Sequence, residues 1–160
     1  MPALDSFERV DLFRGLPASG LEALAALGTP QHVDSGRILF ELGTQAETFY
    51  VVQEGRIDLT MPIELFGHPE DAFMEEVNRG GMLGWSALVP PNHYTMSARV
   101  AVDGEVLAWK GAAVRELMAR DKDLAVVLLD NLSAIVGQRL SRMQALWIRE
   151  LQRTLSTKLK

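Results

Sequence analysis

Short β segments separated by glycines fill residues 29–110, and this pattern is the feature that most constrains the fold. β-branched and aromatic residues dominate segments such as 49–52 and 57–60, as is typical of strands. The dipeptides Glu54-Gly55 and Asp103-Gly104 favour tight hairpin turns between such segments. Many short strands at near-regular spacing predict a mainly β fold, either a sandwich, a barrel or a jelly roll, which is a double-stranded β-helix.

Helical zones flank this β region on both sides. Residues 1–28 are predicted to form N-terminal helices, and residues 111–160 a short helix followed by a long one from about Lys122 to about Leu159. The long helix would measure roughly 57 Å at 1.5 Å per residue, so it must bend, for example at Gly137, or project beyond the β region. With 160 residues, the chain is expected to form a single domain, 1–160.

One apolar stripe follows the long helix in steps of three and four residues. Its members are Leu132, Val136, Leu140, Met143, Trp147, Leu151 and Leu155. The stripe could pack on the chain's own β region or on a second copy. We expect a homodimer through the segment from Leu132 to Leu159, although the steps do not follow a strict heptad.

Composition excludes several classes of function. Lys and Arg number 16 against 21 Asp and Glu, a net charge of −5, which argues against a dedicated nucleic-acid-binding domain. The chain has no cysteine, so disulfides, thiolate metal sites and thiol catalysis are excluded. Its three histidines, His32, His68 and His93, are far apart, and we expect neither a metal site nor haem. The spacing of acidic, basic and nucleophilic residues suggests no catalytic pair, so we expect the protein not to be an enzyme.

The sequence carries no targeting or membrane signal that we recognise. The first residues are acidic and lack the basic region of a secretory signal. The longest purely apolar run, residues 124–129, is far shorter than the roughly 20 residues of a membrane span. We therefore expect a cytoplasmic protein.

An ordered set of motifs resembles a known family. The set comprises Leu-Phe-Arg-Gly-Leu at 12–16, Gly36, Gly43, Phe-Tyr-Val-Val-Gln-Glu-Gly at 49–55 and Gly-Gly-Met-Leu-Gly at 80–84. It resembles the cyclic-nucleotide-binding domain of the catabolite activator and fumarate–nitrate regulator superfamily, over about residues 7–140. The resemblance implies a β-roll with a regulatory rather than catalytic role.

The family's phosphate-binding cassette is a short helix preceded by a Phe-Gly-Glu-type turn and followed by an arginine. Gly84, Ala87 and Leu88 fit this pattern, but Trp85 stands at the glutamate position and Tyr94 at the arginine position. Indole offers no acceptor for a ribose hydroxyl, and a neutral phenol cannot balance a phosphodiester charge. The resemblance therefore predicts poor binding of cyclic AMP and cyclic GMP.

Two interpretations of the pocket remain open. In the first, the pocket binds a different small ligand that is anionic or aromatic. The residues expected around this ligand are Gly84, Trp85, Ser86, Ala87, Leu88, Tyr94 and Thr95. His93 would add charge when protonated, and Met143 and Gln144 from the long helix would cap the pocket. In the second, the aromatic rings fill a vestigial pocket and the protein serves as a dimeric interaction module. We favour the sensor, which signals to a regulatory partner through a population shift of the helix.

Two charged segments have structural explanations. Residues 64–78 include five acidic residues and no lysine or arginine. This composition predicts a solvated hairpin, and the alternative is a loop that docks a partner. Residues 138–160 carry six basic residues against Glu150, which suits the negative end of a helix dipole. The chain has no helix-turn-helix after this helix, so we expect no direct DNA binding.

Overall fold

The computed structural model of the protein describes residue 7 and residues 9–158, so Leu159 and most of the first eight residues lie outside it. The helices are α1 (Ala18–Leu27), α2 (Gly111–Arg120) and α3 (Lys122–Lys158), and 3-10 turns cover Asp11–Phe13 and Trp85–Ala87. The strands are β1 (Thr29–Val33), β2 (Ile38–Phe40), β3 (Thr48–Leu65), β4 (His68–Val77), β5 (Met82–Leu83) and β6 (Ser97–Lys110). The predicted mainly β fold with flanking helices is confirmed.

Six antiparallel strands form one continuous sheet that curls into a roll. Four of them lie in the order β1, β6, β3 and β4, while β2 pairs with β6 and β5 pairs with β3. Apolar side chains from β3 and β6, such as Val51, Ile57, Val100 and Leu107, are fully buried inside the roll. This interior gives the helices a rigid body on which to pack.

The prediction of hairpin turns at Glu54-Gly55 and Asp103-Gly104 is wrong, because β3 and β6 each continue without interruption through these dipeptides. Gly55 lies in the middle of β3 and Gly104 in the middle of β6, where the pairing register shifts repeatedly. A Cβ on Gly104 would stand 2.1 Å from the carbonyl oxygen of Glu54, and Gly55 has a φ of +85°. The glycines therefore permit β-bulges at which two paired strands bend together, rather than chain reversals.

The true hairpin joins β3 to β4. Its turn residues, Phe66 and Gly67, both have positive φ, at 52° and 80°. Most of this hairpin is exposed, as the acidic segment predicted, but its base includes the half-buried Glu75.

The first half of α3 packs on the roll. Leu124, Leu128 and Leu132 are buried. The side-chain amide of Asn131 donates to the carbonyl oxygens of Leu12 at 2.9 Å and Arg14 at 2.8 Å, which ties the helix to the N-terminal turn. The helix runs unbroken through Gly137 for 37 residues, and residues 151–157 near its far end are all exposed, so it projects beyond the roll.

The predicted apolar stripe divides into two parts. Leu132, Val136 and Met143 pack on the roll, as the simpler interpretation held. Leu140, Trp147, Leu151 and Leu155 are exposed, at 55%, 67%, 43% and 58%, and with the exposed Val126 and Leu129 they form an adjacent strip of the helix that is turned away from the roll. By length and composition, Lys122–Thr157 could also cross a membrane, a weak indication because helices of soluble proteins pass the same test.

Candidate functional site

The segment that matches the cassette begins at Gly84, which directly follows β5. Gly84 adopts a φ of +77°, and a Cβ there would stand 2.9 Å from the carbonyl oxygen of Thr48. Only glycine fits this left-handed position so close to another strand. The chain then enters the 3-10 turn Trp85–Ala87, in which Ser86 and Ala87 are buried and Trp85 is half-buried.

Side chains from two other segments hold this turn in place. The side-chain amide of Asn92 donates to the carbonyl oxygens of Ser86 at 2.9 Å and Val89 at 3.1 Å. The guanidinium of Arg115, on α2, donates to the carbonyl oxygen of Ala87. The turn is therefore rigidly fixed between the roll and α2.

Tyr94, at the position where the family has an arginine, has a structural role. Its ring stacks on Phe40 with centroids 3.9 Å apart and planes within 8°. Its hydroxyl donates to the carbonyl oxygen of Thr48 at 2.7 Å and accepts from the Thr48 N–H at 3.3 Å. Burial raises the pKa of Tyr94, so the phenol stays neutral at physiological pH.

The cassette cavity, as we name the space beside this turn, is almost filled. Gly84, Trp85, Ser86, Tyr94 and Thr95 all line it, so the structure brings five of the predicted site residues together. Ala87 and Leu88 are buried behind them and do not line it. Its volume is about 10 Å³, room for about one water molecule.

An arginine from α3 also lines this cavity, which the sequence analysis did not foresee. Arg139 lines the cassette cavity, and its Nη2 donates to the carbonyl oxygen of Met82, on β5, at 3.1 Å. Its Nε donates to Glu75, on β4, at 2.9 Å, and Glu75 also accepts from Arg142 at 2.8 Å. The two family anchor positions are aromatic, Trp85 and Tyr94, yet an arginine from a distant part of the chain lines the same cavity.

A much larger groove opens next to the cassette cavity, between α3 and β4. The groove has a volume of about 460 Å³, and Met96 and Arg139 line both spaces. Met143, predicted as a cap on the pocket, lines the groove instead of the cavity. Gln144, the other predicted cap residue, is exposed and lines neither space.

The cavity, its glycine turn and the helix beside it correspond to one recognised domain type. The profile of the cyclic nucleotide-binding domain matches residues 30–121, more than half of the chain. The chain belongs to this family. The resemblance drawn from the sequence motifs is thereby confirmed.

Solved structures of the same fold include regulators. A candidate cyclic nucleotide-binding protein from Geobacter metallireducens superposes with a TM-score of 0.73 at 26% identity, over 88% of this chain and 99% of its own. The catabolite activator protein of Thermus thermophilus gives 0.71 at 22% identity, over 89% of this chain and 63% of its own. The cAMP-bound regulatory domain of Toxoplasma gondii PKA superposes with a TM-score of 0.63 at 16% identity, over 71% of this chain and 42% of its own. A search of curated protein sequences found no significant match.

These comparisons give the domain a general role. Cyclic nucleotide-binding domains are typically regulatory modules rather than catalysts. Within residues 7 and 9–158, no three histidine, aspartate or glutamate side chains cluster in a way that could hold a metal ion.

Proposed function

We propose that this domain is a non-catalytic sensor that binds a small ligand other than cyclic AMP or cyclic GMP and signals through α3. The observation that carries the proposal is the position of Arg139. This residue belongs to the projecting helix, yet it lines the cassette cavity, and its guanidinium bonds to both β4 and β5. A ligand that disturbs these bonds would change how the helix sits on the roll.

Ordinary cyclic nucleotides do not suit this pocket. Ligand sites usually offer about 300–1,000 Å³, whereas the cassette cavity has about 10 Å³. Trp85 and Tyr94 supply neither a carboxylate for the ribose nor a cation for the phosphate. Arg139 is a cation beside the cavity, but its guanidinium is bonded to Glu75 and Met82, and the cavity has no room for a phosphate next to it.

Calorimetry tests this part of the proposal. We expect no saturable heat when cyclic AMP or cyclic GMP is titrated into the protein at about 100 μM, since each lost charge-assisted contact weakens binding by about tenfold or more. A clear micromolar isotherm with either nucleotide would overturn the proposal.

Signalling through α3 requires two placements of the helix and a ligand that prefers one of them. Because the chain has no cysteine, spin labels can be attached cleanly at Glu22→Cys on α1 and Gln152→Cys on the projecting part of α3, both exposed positions. A ligand found by thermal-shift screening should change the distance distribution between the labels. A bound ligand that leaves the distribution unchanged would refute signalling through the helix.

We further propose that residues 1–160 act as one cytoplasmic domain that forms a homodimer through α3 and contacts a regulatory partner. The exposed side chains Leu140, Trp147, Leu151 and Leu155 support an apolar contact along the helix. In a dimer, a shift of each helix on its roll would alter the shared surface. That surface gives the ligand a route to a partner protein.

A second candidate function is a dimeric interaction module without a ligand. The small volume of the cassette cavity and the close stack of Tyr94 on Phe40 favour it. The two candidates differ in a ligand screen, because a sensor gains stability by RT ln(1 + [L]/Kd) on binding its ligand. If a broad screen of small anions and aromatic compounds leaves Tm unchanged, the interaction module is the better description.

A further inference from the structure

The groove between α3 and β4 has the size and chemistry of a ligand site. Its volume of about 460 Å³ lies within the usual range for small-molecule pockets. Met74 from β4, Met96 before β6, and Met143 and Leu146 from α3 supply its apolar surface. Methionine side chains are flexible and polarisable, so they adapt to apolar ligands of varied shape.

Three arginines give this apolar groove a strong positive charge. Arg139, Arg142 and Arg149 line it from α3, and Glu75 is the only acidic side chain in the described lining. Glu75 pairs with the first two, whereas Arg149 has no carboxylate within salt-bridge distance among the described residues. The groove thus carries an excess of two positive charges beside its apolar surface.

The polar groups in the lining are almost entirely cationic. Among the described residues, no hydroxyl, amide or aromatic side chain lines the groove, and its one carboxylate, Glu75, is already paired with Arg139 and Arg142. Guanidinium groups bind carboxylates and phosphates in paired hydrogen bonds. We therefore propose that the groove binds a free anionic amphiphile, a carboxylate or phosphate head on an aliphatic chain.

The helix geometry keeps this site separate from the proposed dimer surface. Arg139, Arg142, Leu146 and Arg149 follow each other at helical spacing and face the roll. Leu140, Trp147 and Leu151 lie on roughly the opposite side of the same helix. Met143, which lines the groove, lies between Leu140 and Trp147 at helical spacing and borders both surfaces, so a second copy on the exposed stripe would leave the arginine side of the groove open.

The site also suggests how the ligand acts, and here the inference rests on the function proposed above. The head group would compete with Glu75 for Arg139 and Arg142, which hold α3 to β4 at 2.9 and 2.8 Å. The aliphatic chain would meanwhile bury the methionine surface between helix and strand. The ligand thus exchanges contacts within the chain for its own and favours a different helix placement.

Calorimetry with matched twelve-carbon amphiphiles tests the ligand class. Dodecanoate and dodecyl phosphate, kept below their micellar concentrations, should bind saturably with one site per chain. Dodecan-1-ol should bind at least about tenfold more weakly, and dodecyltrimethylammonium should give no saturable binding, because the arginines would repel it. Equal affinity for the cation and the anions would overturn the proposal, as would no binding of either anion.

Variants then locate the site. Arg149→Gln removes an exposed charge without breaking a described ion pair, so it should leave folding intact and weaken both anions by about three- to tenfold. Arg120→Gln removes the same charge from α2, away from the groove, and should leave both affinities unchanged. If Arg149→Gln has no effect, or both variants weaken binding equally, the groove is not the site.

Two further results separate this inference from the sensor proposal. Binding to phosphatidylglycerol vesicles without binding to monomeric dodecanoate would refute a free ligand. If dodecanoate binds in the groove but the spin-label distances stay fixed, the ligand class stands and signalling through α3 fails. If the anions do not bind but another compound moves the helix, the sensor stands and this inference fails.

Discussion

Tyr94 shows how one residue can close a pocket that a related sequence would leave open. Its ring lies flat on Phe40, and its hydroxyl bonds to both backbone groups of Thr48. Tyr94→Phe keeps the stack but leaves these backbone groups without their partner. We expect a loss of about 1–2 kcal/mol in the free energy of unfolding, measured by urea denaturation at neutral pH. An unchanged urea midpoint would show that the hydroxyl contributes nothing.

The same hydroxyl should make stability depend on pH in the alkaline range. Burial raises the pKa of Tyr94 above its unfolded value of 10.0, so the folded state favours the neutral phenol. The stabilisation from the neutral Tyr94 hydroxyl is fully present at a pH below the pKa of the unfolded state. It is lost as the pH rises through the pKa of the folded state. We expect urea midpoints to fall above about pH 10, and to fall less in Tyr94→Phe, where Tyr50 is the remaining tyrosine whose pKa burial raises.

Glu75 is the carboxylate that joins α3 to the sheet. The Glu75 and Arg139 side chains are only 18% and 12% exposed, so their pairing lies largely out of water. Glu75→Gln leaves the largely buried Arg139 without a counter-charge, and this should cost about 2–3 kcal/mol in unfolding free energy. Arg142→Gln removes a side chain that is 65% exposed and should cost less than about 1 kcal/mol. Equal losses in the two variants would contradict this ranking.

The sequence predicted the site residues that lie close to Gly84 along the chain. Trp85 and Tyr94 could be placed by counting from Gly84, and both line the same cavity. Arg139 could not be placed in this way, because its contact with Glu75 joins residues far apart in the chain. One signal was available: Arg139 follows Leu132 and Ile135 at helical spacing on the face that packs on the roll.

At the scale of elements, the bulge where β3 meets β6 shapes the roll. Gly104→Ala would place a Cβ 2.1 Å from the Glu54 carbonyl oxygen, a backbone atom that cannot move aside without breaking the pairing. We expect a loss of about 3 kcal/mol or more in unfolding free energy. Gly137→Ala, in open space on α3, is the control and should gain about 0.5–1 kcal/mol.

The elements differ in how far the sequence predicts them. The long helix was predicted from about Lys122, where the structure begins it, because a sustained helical pattern is a strong local signal. The continuity of β3 and β6 was missed, because Glu54-Gly55 and Asp103-Gly104 carry the same local signal as a hairpin turn. Only the pairing of these strands across the sheet shows that the glycines serve bulges instead.

At the scale of the whole molecule, α3 has two different faces over its projecting length. The face with Ile135 and Arg139 contacts the roll, and a face turned well away from it exposes Leu140, Trp147 and Leu151. A helix with an apolar face directed at water is stabilised when a second surface covers that face. The two faces let one helix connect a site on its own roll to a contact with another chain.

This arrangement leads to a prediction about oligomeric state. Light scattering at about 50 μM should give the mass of a dimer, and Trp147→Glu combined with Leu151→Glu should give a monomer, because like charges would face each other across the contact. The double variant should retain the wild-type circular dichroism and the ion pairs of Glu75, since both residues are exposed. A matched change on another exposed part of the helix, Gln152→Glu, should remain dimeric. A monomeric wild-type protein would leave the helix without the partner surface through which we propose it signals.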